Sequence, residues 1–375
     1  MAGSFQIGTL FGIPVRLHWT FLIVIPLFAY IIGVQIGPTT ELLAGLFGVE
    51  MPNMELIASG IMPYVLGVVV ALGLFLGVFI HELAHSLIAK AKGIKINSIT
   101  LLILGGISSM EEQIPDPVVE LPMALAGPLT SLALGLACTA VALVLNAATP
   151  LGGLIFFIFG YLGLLNIILF GFNLLPAFPM DGGRVLRAWL AKRMPLHRAT
   201  RIAADVGKAF AIIFGIVGFV LFNFILIIIA FFIYIGAGQE SQALKYTLLL
   251  QDVTVEDAMS KPVVTVPPDL PVKEVISMMQ SSRHLGFPVV RDRELVGIVT
   301  LSDVHAIPEG DRETIKVEEI MTRDVVTLPP AAPLTEALKL ISVRDFGRIP
   351  VVEKGEIRGI VTRSDILRVM ELKEA

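Results

Sequence analysis

The chain has 375 residues, 55% of them hydrophobic, with a mean hydropathy of +0.82 and a formal net charge of −4. So much apolar surface points to a bilayer as the solvent for a large part of the chain, and a slightly acidic balance without any basic run argues against a nucleic-acid partner. A single cysteine, Cys138, excludes an intrachain disulfide and a thiolate metal cluster.

Charge is unevenly spread. Residues 1–240 hold 22 Asp, Glu, Lys and Arg, whereas the shorter stretch 241–375 holds 38. The shift predicts a membrane domain over 1–240 and a water-soluble region after it. The first apolar run follows a Gly-containing start with no A-x-A-like site behind it, so no cleavable signal peptide is expected.

Apolar runs long enough to span hydrocarbon, roughly 20 residues each, occur near 19–36, 61–89, 122–147, 151–173 and 202–238. The last is too long for one crossing, and dividing it around Leu221–Asn223 gives six spans. A cytosolic N-terminus then makes 37–60, 148–150 and 221–223 the outer loops, none of which contains Lys or Arg. Arg16, Lys90, Lys92, Lys95, Arg184, Arg187, Lys192, Arg193, Arg198, Arg201 and Lys208 all fall inside, as the positive-inside rule requires. Six spans put both termini in the cytosol; a single tilted crossing over 202–238 would reverse the C-terminal region.

The second span carries His81-Glu82-Leu83-Ala84-His85. Residues i and i+4 share one helix face, so both imidazoles can reach one metal ion. Glu82, beside the first of them, can take a proton from a metal-activated water. The sixteen residues before His81 carry no charge, and a carboxylate in a membrane helix costs about 2.5–3.5 kcal/mol on insertion scales, so a structural role alone is a poor explanation. His81 precedes Lys90 by nine residues, which at ~1.5 Å per residue places the site about 13–14 Å from that flanking charge, below the membrane surface.

Between the second and third spans, Ile94–Leu104 is rich in β-branched and aliphatic residues and is broken by Gly105-Gly106. The 94–113 segment reads as a hairpin or re-entrant strand dipping toward the membrane. It could hold an extended peptide at its edge or simply plug a cavity.

Two histidines leave a metal site incomplete. The run Asn173-Leu174-Leu175-Pro176-Ala177-Phe178-Pro179-Met180-Asp181-Gly182-Gly183-Arg184 supplies a carboxylate, Asp181, where two prolines end a helix and two glycines let the backbone approach closely. Taken alone, Asp181-Gly182 reads equally as a turn. Asn173 could polarise an oxyanion or cap the helix ending at Pro176. His18, beside Trp19, reads as an interfacial residue.

The paired motifs His81–His85 and Asn173–Arg184 resemble those of the site-2 protease family of intramembrane zinc metalloproteases. Lesser features agree: Arg16-Leu17-His18-Trp19, Gly105-Gly106 and Ala126-Gly127-Pro128. The resemblance implies a polytopic α-helical membrane protein of about six transmembrane helices with a re-entrant β segment. It also implies one Zn2+ held by His81, His85 and Asp181, Glu82 as general base, Asn173 as helper, and a membrane-protein substrate cut in or beside its transmembrane segment.

An internal repeat follows, with an offset of 62 residues. Val263–Pro268 recurs as Val325–Pro330, Pro288-Val289-Val290 as Pro350-Val351-Val352, and Gly297–Thr300 as Gly359–Thr362. Each copy reads strand, helix, strand, strand, helix, too small to complete its own core. The repeat resembles a tandem pair of cystathionine-β-synthase (CBS) domains, an α/β module over 252–372 (252–306, then 316–372). That resemblance implies an adenine nucleotide as regulatory ligand, with Asp303 and Asp365 on ribose hydroxyls and Thr300 and Thr362 on phosphate. It also implies homodimerisation through the pair. The same Thr-x-x-Asp residues stand where helices should begin and could act as caps. A CBS-regulated transporter or channel is the alternative reading; it requires charges spread over several spans.

Overall fold

The computed structural model describes residues 3–49, 57–102, 105–110, 115–146, 152–282, 284–344 and 346–374. Two compact units emerge, residues 1–244 and 245–375.

The first unit opens with a hairpin, β1 (Ser4–Leu10) and β2 (Ile13–His18). Phe11 and Gly12 form the turn, both with positive φ (51° and 75°), the geometry that matches the right-handed twist of the flanking strands. A broken pair of helices follows, α1 (Phe21–Val34) and α2 (Ile36–Phe47), bent by 69° at Gln35. The 37–60 segment, expected as an outer loop, is therefore helical over 37–47. Pro38 sits in the first turn of α2, where its missing N–H removes no hydrogen bond. The 148–150 loop lies outside the described residues.

Next comes α3 (Met62–Ala91), whose 30 residues extend ~45 Å and exceed the ~30 Å hydrocarbon core. At Gly67 the backbone of α1 passes so closely that a Cβ would lie 2.3 Å from Ala29 O; small residues allow such crossings in membranes. The hairpin β3 (Ile96–Leu102) and β4 (Gly105–Met110) appears inside the predicted 94–113 segment. It joins the N-terminal hairpin in one sheet of order β1-β2-β3-β4, with β2 and β3 parallel through Val15↔Ile99. The N-terminal half of that sheet was not anticipated from the sequence.

The remaining membrane-domain helices are α4 (Pro117–Asn146), α5 (Gly152–Asn173), α6 (Asp181–Ala191), α7 (Leu196–Val220) and α8 (Phe224–Leu249). The break between α7 and α8 falls at Leu221–Asn223, where Phe222 has φ 52° and Asn223 Oδ1 accepts from Leu226 N at 3.1 Å. Among the described residues five helices are long and apolar enough to cross a membrane, or six if the bent α1–α2 pair counts as one.

The second unit contains α9 (Val255–Ala258), α10 (Val272–Ser282), β5 (Gly286–Arg291), β6 (Glu294–Thr300), α11 (Leu301–His305), α12 (Val317–Ile320), α13 (Leu334–Arg344), β7 (Arg348–Glu353), β8 (Glu356–Thr362) and α14 (Arg363–Glu374). Its sheet runs β5-β6-β8-β7. The repeat is visible in the register: Gly286↔Thr300 matches Arg348↔Thr362, and both hairpins carry a bulge at equivalent valines. The first strand expected in each copy shrinks to one bridge, Val266↔Val289 and Leu328↔Val351.

The two copies exchange their leading segments. Ser260 bridges Ile360 of the second hairpin, while Thr322 bridges Ile298 of the first. Accordingly Val255 and Met259 are buried with Ile349, Val351 and Ile366, and Val317 with Val289 and Val299. Neither copy closes a core from its own residues alone.

Candidate metal centre

His81 and His85 lie one turn apart on α3, 4% and 7% exposed. Their Nε2 atoms face each other at 3.1 Å, and Asp181 Oδ2 lies 3.2 Å from the first and 3.1 Å from the second. Residues about a hundred positions apart thus present three ligand atoms to one point. Among the described residues this is the one group of His, Cys, Asp or Glu so arranged.

α4 sets the orientation of both rings. His85 Nδ1 bonds the Met123 carbonyl at 2.6 Å. A carbonyl only accepts, so Nδ1 donates and the neutral ring presents the Nε2 lone pair inward. His81 Nδ1 meets Ser131 Oγ at 2.9 Å. Such outer hydrogen bonds fix the tautomer and direction of a metal-ligating imidazole. Gly127, between these two contacts, keeps the centre open: a Cβ there would lie 2.2 Å from His85 Nε2 and 2.6 Å from His81 Nε2.

Asp181 is the first residue of α6, and its place depends on the loop before it. Ala177, Phe178 and Met180 are buried. The helix start packs directly on that loop: a Cβ at Gly182 would lie 2.1 Å from Leu175 O, and one at Gly183 would lie 2.5 Å from Phe178 N. Only glycine fits at either position.

Two imidazole nitrogens and one carboxylate oxygen suit a zinc ion, and three protein ligands are the number found in catalytic zinc sites that keep one position for water or substrate. Three inward-facing acceptor atoms beside a glycine-cleared space fit such a cation.

Glu82 is half-buried, and its Oε2 accepts from Ser108 Oγ on β4 at 2.8 Å. Ser86 Oγ in turn donates to Ser108 Oγ at 3.1 Å. Gly106 makes this approach feasible, since a Cβ there would meet Glu82 Cγ at 2.3 Å. β4 therefore runs beside the candidate base and is an edge of its sheet. Ser108, Ser131 and Met123 gave no signal in the sequence, because each acts through a contact between elements distant in the chain.

Asn173 ends α5, half-buried, and its Nδ2 donates to Leu169 O, one turn back, at 3.0 Å. His18 stays outside the metal group, bonded to Thr20 Oγ1 at 2.9 Å beside an exposed Trp19.

In the second unit the Thr-x-x-Asp residues form capping boxes. Asp303 Oδ2 accepts from Thr300 N at 2.8 Å and Thr300 Oγ1 at 2.7 Å. Asp365 Oδ2 accepts from Thr362 N at 2.9 Å and Oγ1 at 2.6 Å, while its Oδ1 accepts from Ser260 Oγ at 2.8 Å. Asp365 is 5% exposed, whereas Asp303 is half-exposed. A third box caps α9, where the Thr254 hydroxyl and amide donate to Asp257 and hold its carboxyl below the usual range.

Comparison with known proteins decides the family. The model of peptidase family M50 matches residues 69–157 and 146–214, and the CBS domain model matches 255–308 and 317–372. A zinc metalloprotease of Methanocaldococcus jannaschii is 33% identical over 371 residues, covering 99% of this chain and 97% of its own. The chain belongs to peptidase family M50, the site-2 proteases. A Synechocystis relative is 29% identical over 390 residues, covering 100% of this chain and 97% of its own. The solved site-2 protease from Methanocaldococcus jannaschii is 35% identical and covers 64% of this chain and 95% of its own, with a TM-score of 0.42. This site-2 protease is thus a zinc-dependent, multi-pass membrane peptidase with a CBS pair, and the transporter reading falls away.

Proposed function

We propose that this site-2 protease hydrolyses a peptide bond within or beside a transmembrane segment of a membrane-bound substrate, using His81, His85 and Asp181 as zinc ligands and Glu82 as base. The convergence of His81 Nε2, His85 Nε2 and Asp181 Oδ2, next to a carboxylate that follows the first ligand, carries this reading.

Zinc bound there supplies Lewis acidity toward the scissile carbonyl and lowers the pKa of water toward ~7. Glu82 removes a proton from the attacking water and delivers it to the departing amine. Ser108 holds one carboxylate oxygen and leaves the other for that transfer. Asn173 keeps a second amide N–H beyond the one given to Leu169 O, and we assign it to the developing oxyanion. A substrate helix must unwind before its backbone can be attacked. The exposed edge of β4 offers an extended strand its hydrogen bonds beside Glu82, the role we give this hairpin.

Both termini are assigned to the cytosol, because 37–60 and 221–223 contain no Lys or Arg. The CBS pair is assigned an adenine nucleotide that modulates proteolysis, with Thr300 and Asp303 as the more accessible of the two Thr-x-x-Asp pairs and Thr362 and Asp365 as the other.

The test is Glu82→Ala in the purified full-length protein with a single-span substrate. Zinc content equal to wild type with no cleavage is expected. An active Glu82→Ala protein would remove Glu82 from the mechanism, and full zinc occupancy in Asp181→Ala would remove Asp181 from the ligand set.

A further inference from the structure

Arg187 follows Asp181 by six residues on α6 and is 3% exposed. Its Nε donates to Glu120 Oε1 at 2.9 Å and Oε2 at 3.2 Å, and its Nη2 also bonds Glu120 Oε1. Nη1 donates to Glu240 Oε1 at 2.9 Å. The guanidinium carbon lies 4.9 Å from the ring centroid of Phe178, in the loop that leads to Asp181. One side chain thus joins α4, α6 and α8 and rests on the support of a candidate zinc ligand.

The face of α4 shows what this joint sets. Glu120, Met123, Gly127 and Ser131 are spaced three, four and four residues apart, which places them along one side of the helix. Met123 O and Ser131 Oγ hold the two imidazoles, Gly127 clears the space between them, and Glu120 grips Arg187. Both histidines and the helix of Asp181 are therefore referenced to the same stripe. A slide of α6 along α4 would carry Asp181 away from the rings, and the Glu120–Arg187 fork opposes that slide. Parting such a buried pair leaves a charge uncompensated, which is costly.

We infer that Arg187 is a positioning residue for Asp181, and that Glu240 is the adjustable arm through which α8 biases the metal site. The two arms differ in a way that supports the division. The Glu120 arm is bidentate and dry, with a side chain 3% exposed; the Glu240 arm is single and 31% exposed, so water can replace it. The inference rests on the proposed zinc ligands.

The experiment uses the full-length protein in detergent micelles. Arg187→Lys keeps the charge but loses the planar fork, and Glu240→Gln removes the charge of the exposed arm alone. The readouts are zinc retention against a chelator, the visible absorption of the Co2+-substituted protein, and separate kcat and KM values. Arg187→Lys is expected to weaken zinc retention by roughly tenfold or more, to change the cobalt spectrum, and to lower kcat with KM little altered. Glu240→Gln should move the same readouts in the same direction by less. A folded Arg187→Lys protein with wild-type zinc retention and cobalt spectrum would overturn the inference. If Arg187→Lys does not fold, Glu240→Gln decides, and unchanged retention and spectrum overturn it equally. A wild-type protein that binds no zinc would instead overturn the ligand assignment.

Discussion

Gly127→Ala tests the shared space between the two imidazoles. The added methyl would stand 2.2 Å from His85 Nε2 and 2.6 Å from His81 Nε2, where ordinary contact begins at 3.4 Å. The rings have little freedom to retreat, because His85 is tied to Met123 O and His81 to Ser131. A displacement of roughly 1 Å follows, against a metal–ligand tolerance of about 0.2 Å. Loss of zinc affinity should be at least that of an outer-shell substitution, about 10–100-fold, or roughly 1.4–2.8 kcal/mol. Stability of the metal-free protein should fall as well, because forcing a methyl against two buried rings costs about 1–3 kcal/mol and outweighs the roughly 1 kcal/mol by which Ala is better than Gly inside a helix. Chelator competition for zinc, run beside thermal unfolding of the metal-free protein, reads both terms. Wild-type zinc affinity in a folded Gly127→Ala protein would refute the convergence of the two rings on a shared ion.

A cysteine at Glu41 should react with an impermeant reagent outside intact cells, whereas one at Lys261 should not; external labelling at Lys261 would reverse the assigned topology. Titrating the full-length protein with AMP, ADP and ATP in a calorimeter should give heat for at least one of them, and Asp303→Ala should weaken it. No heat at millimolar ligand would leave the pair as a docking or dimerisation module. Asp257 has a depressed folded-state pKa, so its stabilisation of the α9 cap is present above the unfolded value near ~3.9 and lost as pH falls through the folded value. Protection of the 254–258 amides, taken relative to the intrinsic exchange rate at each pH, should fall as pH drops from 5 to 3, and constant protection would show that the cap does not depend on this carboxylate.

The chemistry of the site was legible because its residue types are conspicuous where they occur. His81, Glu82 and His85 stand out inside an apolar run, whereas Asp181 is reached only as the carboxylate that completes the two-histidine set. The supports were not legible, since Ser108, Ser131 and the Met123 carbonyl matter only through where other elements bring them. The N-terminal sheet escaped for a related reason. β1 has almost no buried residue, so it lacks the alternation that marks a half-buried strand, and Phe11-Gly12 is not a usual turn signal. Ending the first apolar run at 36 put α2 into an expected outer loop, although its Pro38 falls in a first turn, where proline is tolerated. In the C-terminal pair the repeat fixed the elements, but one motif served two roles. Thr300–Asp303 and Thr362–Asp365 do cap helices, and that engagement leaves nucleotide contact to experiment.

The exchange of leading segments between the two CBS copies also constrains the order in which the chain can be completed. Emerging N-terminus first, residues 266–304 find their missing helix only when 317–321 have been made. Residues 250–259 wait longer, because the core that receives them extends to Met370. The segment directly after α8 is thus among the first parts of its unit to be synthesised and among the last to be buried. A ribosome stalled in the second copy leaves Leu250, Val253 and Val255 uncovered, a visible mark of incompleteness.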